Sequence, residues 1–364
     1  MAQKTYTVAV VGATGAVGTT MLRVLQERKF PVKRLAPLAS ERSQGKSVRF
    51  RNKSWKVEVL SPEAFEGVDI ALFSAGAARS LEFAPQAVKR GAVVIDNSSA
   101  FRMSPDVPLV VPEVNPHAAA RHRGILAVPN CSTIVMLVAL KPLHDAAGLK
   151  RIIVSTYQSV SGAGSKAMHQ LWREGREVSG RFRSYDPKAA VSQIEKQVQA
   201  PLKEKPVLPQ RIAFNLVPQI DVFMPDGYTK EELKMRQESR KILELPDLFV
   251  SATCVRVPVY LAHSEVVTAE FDRPISPDQA RALLAKAPGV ALIDEPAKGR
   301  YPMPIVQGGK DNVAVGRVRQ DPDSLKILHL WTVGDNLRKG AATNAVQIAE
   351  LLVQRGLFPK PAHA

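Results

Sequence analysis

The opening of the chain leaves few folds open to it. Residues 5–11 form a short apolar run that breaks at Gly12-Ala13-Thr14-Gly15-Ala16-Val17-Gly18, and residues 15–28 then take up helical spacing. A strand that meets a glycine turn and then a helix is the first unit of a parallel sheet. Its turn is also suited to an anion: glycines let the backbone approach a pyrophosphate, and the helix N-terminus offers free N–H groups and a positive dipole. The spacing is G-x-x-G-x-x-G rather than the G-x-G-x-x-G of NAD sites, so position between strand and helix carries the reading more than the motif does. Gly12, Thr14, Gly15, Ala16 and Val17 are the candidate cofactor contacts. Apolar strands follow at 32–39, 69–74 and 92–96, with a helical stretch between the last two. This alternation predicts an α/β, Rossmann-type dinucleotide-binding domain with helices on both faces of its sheet.

The end of the second strand selects the nucleotide. An NAD site places Asp or Glu there to hold the ribose hydroxyls. This chain instead runs Ala39-Ser40-Glu41-Arg42-Ser43-Gln44-Gly45. An arginine between two serines suits a 2′-phosphate, so Ser40, Arg42 and Ser43 point to NADP, with Glu41 expected to face outward. A plain surface loop is the alternative. Gly45-Lys46-Ser47 is not a P-loop, because that motif needs glycine where Ser40 stands.

The chain has 364 residues, enough for two domains. Two cysteines, Cys131 and Cys254, are too few for a disulfide framework and fit a reducing compartment. No basic-then-apolar leader opens the sequence, and its longest uncharged stretch, 124–140, is broken by Pro129 and Asn130. A soluble, cytoplasmic protein is expected. The net charge of +16 raises the question of nucleic acid. Lys and Arg are scattered without basic runs or interleaved aromatics, so a solvated basic surface is the expectation, and no nucleic acid or membrane partner.

After Asn130 the pattern changes. A helix is predicted over 131–147, a strand over 149–160, charged helices including 230–243, and alternating strands at 249–257, 264–271, 313–318 and 326–333. Strands in succession suggest a mainly antiparallel sheet in a second domain of α+β type. Residues 186–210, with prolines and charges, read as a long surface excursion. Residues 336–352 read as one amphipathic helix returning to the first domain. The expected division is 1–130 with 335–364, and 131–334.

Cys131 follows Pro129-Asn130 and opens a strongly apolar helix. A thiolate there gains from the dipole and free N–H groups, which also suit a developing oxyanion. Asn130 adds a polar contact. A buried structural cysteine is the bland alternative, and mid-strand Cys254 fits it. A cysteine beside a nicotinamide domain implies thioester chemistry coupled to hydride transfer, with an acid/base required. A hairpin through Pro258-Val259-Tyr260-Leu261 would set Arg256 and His263 on neighbouring strands, a solvated loop histidine being the alternative.

The chain resembles the aspartate-β-semialdehyde dehydrogenase family over nearly its whole length. The resemblance is carried by Gly12 to Gly18, Phe101-Arg102-Met103, Val111-Pro112-Glu113-Val114-Asn115, Pro129-Asn130-Cys131-Ser132-Thr133 and Tyr157-Gln158-Ser159-Val160-Ser161-Gly162-Ala163-Gly164. It continues through Lys230-Glu231-Glu232-Leu233-Lys234, Arg256-Val257-Pro258-Val259, His263-Ser264-Glu265 and Gly334-Asp335-Asn336-Leu337-Arg338-Lys339-Gly340-Ala341. The resemblance implies NADP-dependent reductive dephosphorylation of L-aspartyl 4-phosphate to L-aspartate 4-semialdehyde, feeding lysine (diaminopimelate), threonine, methionine and isoleucine biosynthesis. It implies Cys131 as nucleophile, His263 as acid/base and Gln158 orienting the acyl group. It assigns Arg256 to the substrate carboxylate, Arg102 and Lys234 to phosphate, Glu231 to the ammonium, and Ser161, Gly162 and Asn336 to the nicotinamide end. It also implies a homodimer formed through the second domain, and no metal.

Three residues depart from the family pattern: Leu233 for a usual tryptophan, Ala262 for a common glycine and Ser159 for a common alanine. None removes a chemical group. The rivals are N-acetyl-glutamyl-phosphate reductase, which should lack a partner for a free ammonium, and a non-catalytic paralogue acting as a binding protein, which should lack Cys131 or His263.

Overall fold

The computed structural model describes residues 4–182 and 191–358. β1 (Tyr6–Val11) is buried along its whole length, as a strand covered on both faces must be. The chain then forms α1 (Ala16–Glu27), β2 (Val32–Ala39), a small hairpin of β3 (Ser47–Phe50) and β4 (Lys53–Lys56), β5 (Glu58–Val59), β6 (Ile70–Phe73), α2 (Ala77–Lys89), β7 (Val93–Asp96) and β8 (Ile125–Ala127). Apart from the β3–β4 hairpin, these strands make one six-stranded sheet in the order β5-β2-β1-β6-β7-β8, every pairing parallel. The glycine turn works by contact. A Cβ on Gly12, whose φ is +85°, would lie 2.6 Å from the Ser74 carbonyl oxygen, and one on Gly18 would lie 2.1 Å from the Gly12 carbonyl oxygen. Only glycine lets β1, the turn and α1 approach so closely.

α3 (Cys131–Ala147) is apolar on nearly every side and buried from Ser132 to Leu140. It packs on the second sheet and on the helices beside it, as an all-round hydrophobic helix must. β9 (Leu149–Gln158), α4 (Ser165–Ser179), α5 (Val191–Gln199) and α6 (Lys230–Leu243) follow. The expected excursion at 186–210 thus carries α5, which buries no residue, while 186–190 lie outside the described residues. Next come β10 (Phe249–Arg256), β11 (His263–Phe271), α7 (Pro277–Leu284), β12 (Val290–Leu292), α8 (Pro304–Gln307), β13 (Val313–Asp321), β14 (Ser324–Gly334) and α9 (Thr343–Arg355). The second sheet runs β10-β9-β11-β14-β13-β12. Its three inner pairings are antiparallel, but both edge strands pair in parallel, so the sheet is mixed.

Two expectations need correction. No β10–β11 hairpin exists, because β9 lies between them. The 257–262 connection crosses the end of β9, where Val160 N–H donates to Val259 O at 2.8 Å. The single helix expected over 336–352 is instead a π-turn at Arg338–Ala342 followed by α9. α9 does return to the first sheet, packing against α1 and β7. Among the described residues, no helix is long and apolar enough to cross a membrane.

Candidate active site

Cys131 is the first residue of α3, and the residue before it organises the corner. Asn130 caps the helix, its Oδ1 accepting from Ser132 N–H at 2.8 Å. Its Nδ2 donates to Glu231 Oε1 at 2.8 Å, and its main-chain N–H donates to Glu238 Oε2 at 2.6 Å. The thiol opens onto a cleft of about 440 Å³ between the two sheets. The helix start is not the only influence on the sulfur. Burial and the Glu231 carboxylate push the Cys131 thiol up to about 12, outweighing the lowering by Arg102, Arg256 and the Ser132 N–H. The helix start alone does not ionise it. Cys254 is fully buried in β10, its sulfur 3.7 Å from that of Met235, as a structural cysteine would be.

Charged side chains from several elements ring the cleft. A capping box at Thr229 and Glu232 starts α6, and Glu231, Lys234 and Glu238 then share one face at helical spacing. Glu231 is buried and accepts from Asn130, from Gln158 Nε2 at 3.2 Å and from Lys234 Nζ at 3.3 Å. Lys234 also donates to Asp221 at 2.7 Å. Burial opposes its charge, but Glu231 and Asp221 raise its pKa overall. Arg102 donates to Glu238 Oε1 at 3.0 Å and to the Asn97 carbonyl at 2.9 Å. Arg256 and Gln158 sit opposite each other at the ends of β10 and β9. Arg256 Nη1 is anchored on the Ser159 carbonyl at 2.8 Å, which leaves the rest of the guanidinium for the cleft it lines.

His263 begins β11 and is fully buried. Both it and Arg256 lie against Gly162 despite the intervening β9. A Cβ there would lie 3.0 Å from Arg256 Nη1 and 3.4 Å from His263 Nε2. Nδ1 accepts from Ser159 N–H at 3.1 Å, while Nε2 has no partner. Burial, then the charge of Arg256, hold the imidazole well below its ordinary pKa, so the ring is neutral at neutral pH. Behind it, Asn336 Oδ1 accepts from Ala262 N–H at 3.1 Å, and its Nδ2 donates to Ser161 Oγ at 2.9 Å. Ala262 has φ +69°, a left-handed conformation that favours glycine.

The other end of the cleft is lined by Val17 at the start of α1, by Ser74 and Gly76 between β6 and α2, and by Leu337 and Ala341 at the π-turn. It leads towards the glycine turn, where Gly12, Gly15 and the start of α1 at Ala16 stand together. Thr14 Oγ1 lies 3.3 Å from Ser43 Oγ, so the turn and the 40–43 segment touch. Ser40, Glu41 and Arg42 are exposed, with Glu41 outward as expected. Sequence reasoning missed Asn97, Ser98, Asp221, Glu238 and Gly340. Position alone could have found Asn97 and Ser98, which follow the carboxyl end of β7. Asp96 holds Ser98, accepting from its Oγ at 2.6 Å, while Asn97 Nδ2 donates to the Phe73 carbonyl at 3.2 Å. Gly340 belongs to a segment that carries the resemblance but is given no role by it, yet a Cβ there would stand 2.7 Å from Cys131 Cβ. Among the described residues, no group of three or more His, Cys, Asp or Glu side chains is placed to hold a metal ion.

Comparison with known proteins places the chain in a family. Residues 7–122 match the family model for the semialdehyde dehydrogenase NAD binding domain, and residues 140–339 match that for the semialdehyde dehydrogenase dimerisation domain. The chain is 54% identical to an aspartate-semialdehyde dehydrogenase of Aquifex aeolicus, over 97% of this chain and 99% of that protein. It is 50% identical to that of Bacillus subtilis, over 96% and 98%. Among solved structures, aspartate semialdehyde dehydrogenase II of Vibrio cholerae, complexed with ASA, is similar at 48% identity and a TM-score of 0.89, over 97% and 99%.

Proposed function

Because the chain belongs to the aspartate-semialdehyde dehydrogenase family, we propose that it reduces L-aspartyl 4-phosphate to L-aspartate 4-semialdehyde through a thioester on Cys131. The observation that carries this is the placement of Cys131 in a cleft ringed by Arg102, Glu231, Lys234 and Arg256. Arg256 suits the substrate carboxylate and Glu231 its ammonium, while Arg102 and Lys234 suit the phosphate dianion. Asn130 and Gln158 hold Glu231 and border the acyl group.

The Cys131 sulfur attacks the acyl carbon, the C–O bond to phosphate breaks, and a thioester forms. The N–H groups at the start of α3 face the developing oxyanion. His263 takes the thiol proton and returns a proton when the thiohemiacetal collapses to aldehyde and free thiol. Substrate binding itself favours ionisation, since an ammonium on Glu231 offsets the charge that holds the thiol protonated.

The residues fit a nicotinamide dinucleotide: Gly12 and Gly18 let the turn pack tightly against the strand ends, and the start of α1, which has no side-chain cap, offers its N–H groups to a pyrophosphate. NADP, when bound, exchanges the hydride. Ser40, Arg42 and Ser43 would hold its 2′-phosphate, and Ser161, Gly162 and Asn336 would border the nicotinamide. In this reading residues 1–130 with 335–364 form the nucleotide domain and 131–334 the catalytic one. The enzyme works as a cytoplasmic homodimer in lysine, threonine, methionine and isoleucine biosynthesis.

The test is a spectrophotometric assay with phosphate and NADP, comparing aspartate semialdehyde with N-acetylglutamate semialdehyde. Turnover of the first alone, abolished by Cys131→Ala with NADP binding intact, is expected. Turnover in that variant would sink the thioester, and preference for the acetylated substrate would make this an N-acetyl-glutamyl-phosphate reductase.

A further inference from the structure

Ser159 has no part in the mechanism above, yet it touches the ring that mechanism needs. It is fully buried between β9 and the turn after it. Its Oγ lies 3.1 Å from His263 Nδ1, 3.0 Å from Asn336 Oδ1 and 3.0 Å from Ser161 Oγ. The orientation of Asn336 is fixed, because its oxygen takes the Ala262 N–H and its nitrogen donates to Ser161. Oδ1 therefore accepts the Ser159 hydroxyl proton, and the Ser159 oxygen is left to accept from the ring.

The main chain of Ser159 poses a difficulty that this hydroxyl removes. Its N–H donates to His263 Nδ1 at 3.1 Å, which places the proton of a neutral ring on Nε2. A ring in that form can donate towards the cleft but cannot take a proton from it. To act as a base, His263 must carry its proton on Nδ1, and once it has taken a second proton both nitrogens are donors. Nδ1–H then needs an acceptor, in a site buried from water where an unpaired donor is costly.

We infer that Ser159 is the positioning residue for His263: its Oγ accepts Nδ1–H and passes its own hydrogen to Asn336, so that Nε2 is free to take a proton from the cleft. The inference rests on the acid/base reading of His263. Apart from Ser159, the one group favouring the charged ring is the Ala262 backbone, and it is outweighed by burial and by a nearby cation. That cation is Arg256, from β10. Cys131 from α3 and Glu231 from α6 share the cleft, and Glu265, two residues along β11, is itself held protonated by burial.

The experiment compares wild type, Ser159→Ala and His263→Asn by two readouts. One is the pH profile of kcat/KM, and the other is the nitrogen chemical shifts of ¹⁵N-labelled histidine. Loss of Oγ is expected to lower kcat about tenfold, leave KM for phosphate and NADP unchanged, and move the acidic limb to lower pH. The His263 ring should shift fully to the Nε2–H form. An unmoved limb and unchanged ring shifts in Ser159→Ala, with His263→Asn inactive, would overturn the role of Ser159 alone. Full turnover in His263→Asn would instead overturn the acid/base reading, and the ring shifts would still report whether Ser159 sets the tautomer.

Discussion

At the scale of single residues, the cleft is a balance of charges rather than a collection of independent groups. Glu231 shows this most clearly, since it accepts from Asn130, Gln158 and Lys234 while raising the pKa of Cys131. A nearby negative charge disfavours a thiolate, so removing it must favour one. Glu231→Gln is expected to move the pH profile of iodoacetamide alkylation to lower pH and speed the reaction at any fixed pH below about 12. An unmoved profile would mean that burial alone keeps the sulfur protonated. Arg42 offers a second check. It is exposed beside the turn that Ser43 touches, and a 2′-phosphate exists only in NADP. Arg42→Ala should weaken NADP about tenfold or more and NAD hardly at all, as read by fluorescence titration of both nucleotides. Equal losses would refute the assignment.

Among the elements, the π-turn at Arg338–Ala342 does what a regular helix would not. Its extra residue sets Gly340 against Cys131. Buried Lys339 anchors the turn, donating to Glu113 at 2.5 Å and Asn344 at 2.9 Å. Gly340→Ala should displace the sulfur and lower kcat about a hundredfold, with the melting temperature read in parallel. Wild-type kcat in that variant would show that the contact is loose. The turn also marks where sequence reading stops. Val32–Ala39, Cys131–Ala147 and Lys230–Leu243 were legible to the residue, because apolar periodicity and capping signals are local. An inserted residue at 338–342 leaves the apolar pattern of the following helix intact, so it is silent in the sequence. Strand order is silent too, since nothing local to 256–263 says that β9 will come between Arg256 and His263. The thiol's protonation depends on its burial and on Glu231, a hundred residues away, neither of which is local to the helix start. Position alone points to Cys131 and to the pair Arg256 and His263, while Gln158 and Glu231 come from the resemblance; four of the five line one cleft, and His263 lies behind Gly162 in its wall.

For the whole molecule, the second sheet has one face on α3 and the other only half covered. Ile153, Tyr157 and Trp331 lie on that outer face, the two rings 5.7 Å apart, and Phe249 is exposed beside them. Such a face suits burial against a second copy, in keeping with the dimerisation domain matched there. If the proposed homodimer forms through this face, Ile153→Asp is expected to leave a monomer in sedimentation experiments where the wild type sediments as a dimer, and a dimer in both would move the interface elsewhere. The path of the chain has a further consequence for how such a molecule is made. α9 comes from the C-terminal end, yet Val346, Ile348, Ala349 and Leu352 are buried in the core it shares with the first sheet. The strands of the first sheet therefore leave a ribosome well before the helix that covers them, with an apolar face open in the interval. A nascent chain stalled before residue 343 should be a client for chaperones rather than a finished nucleotide-binding module.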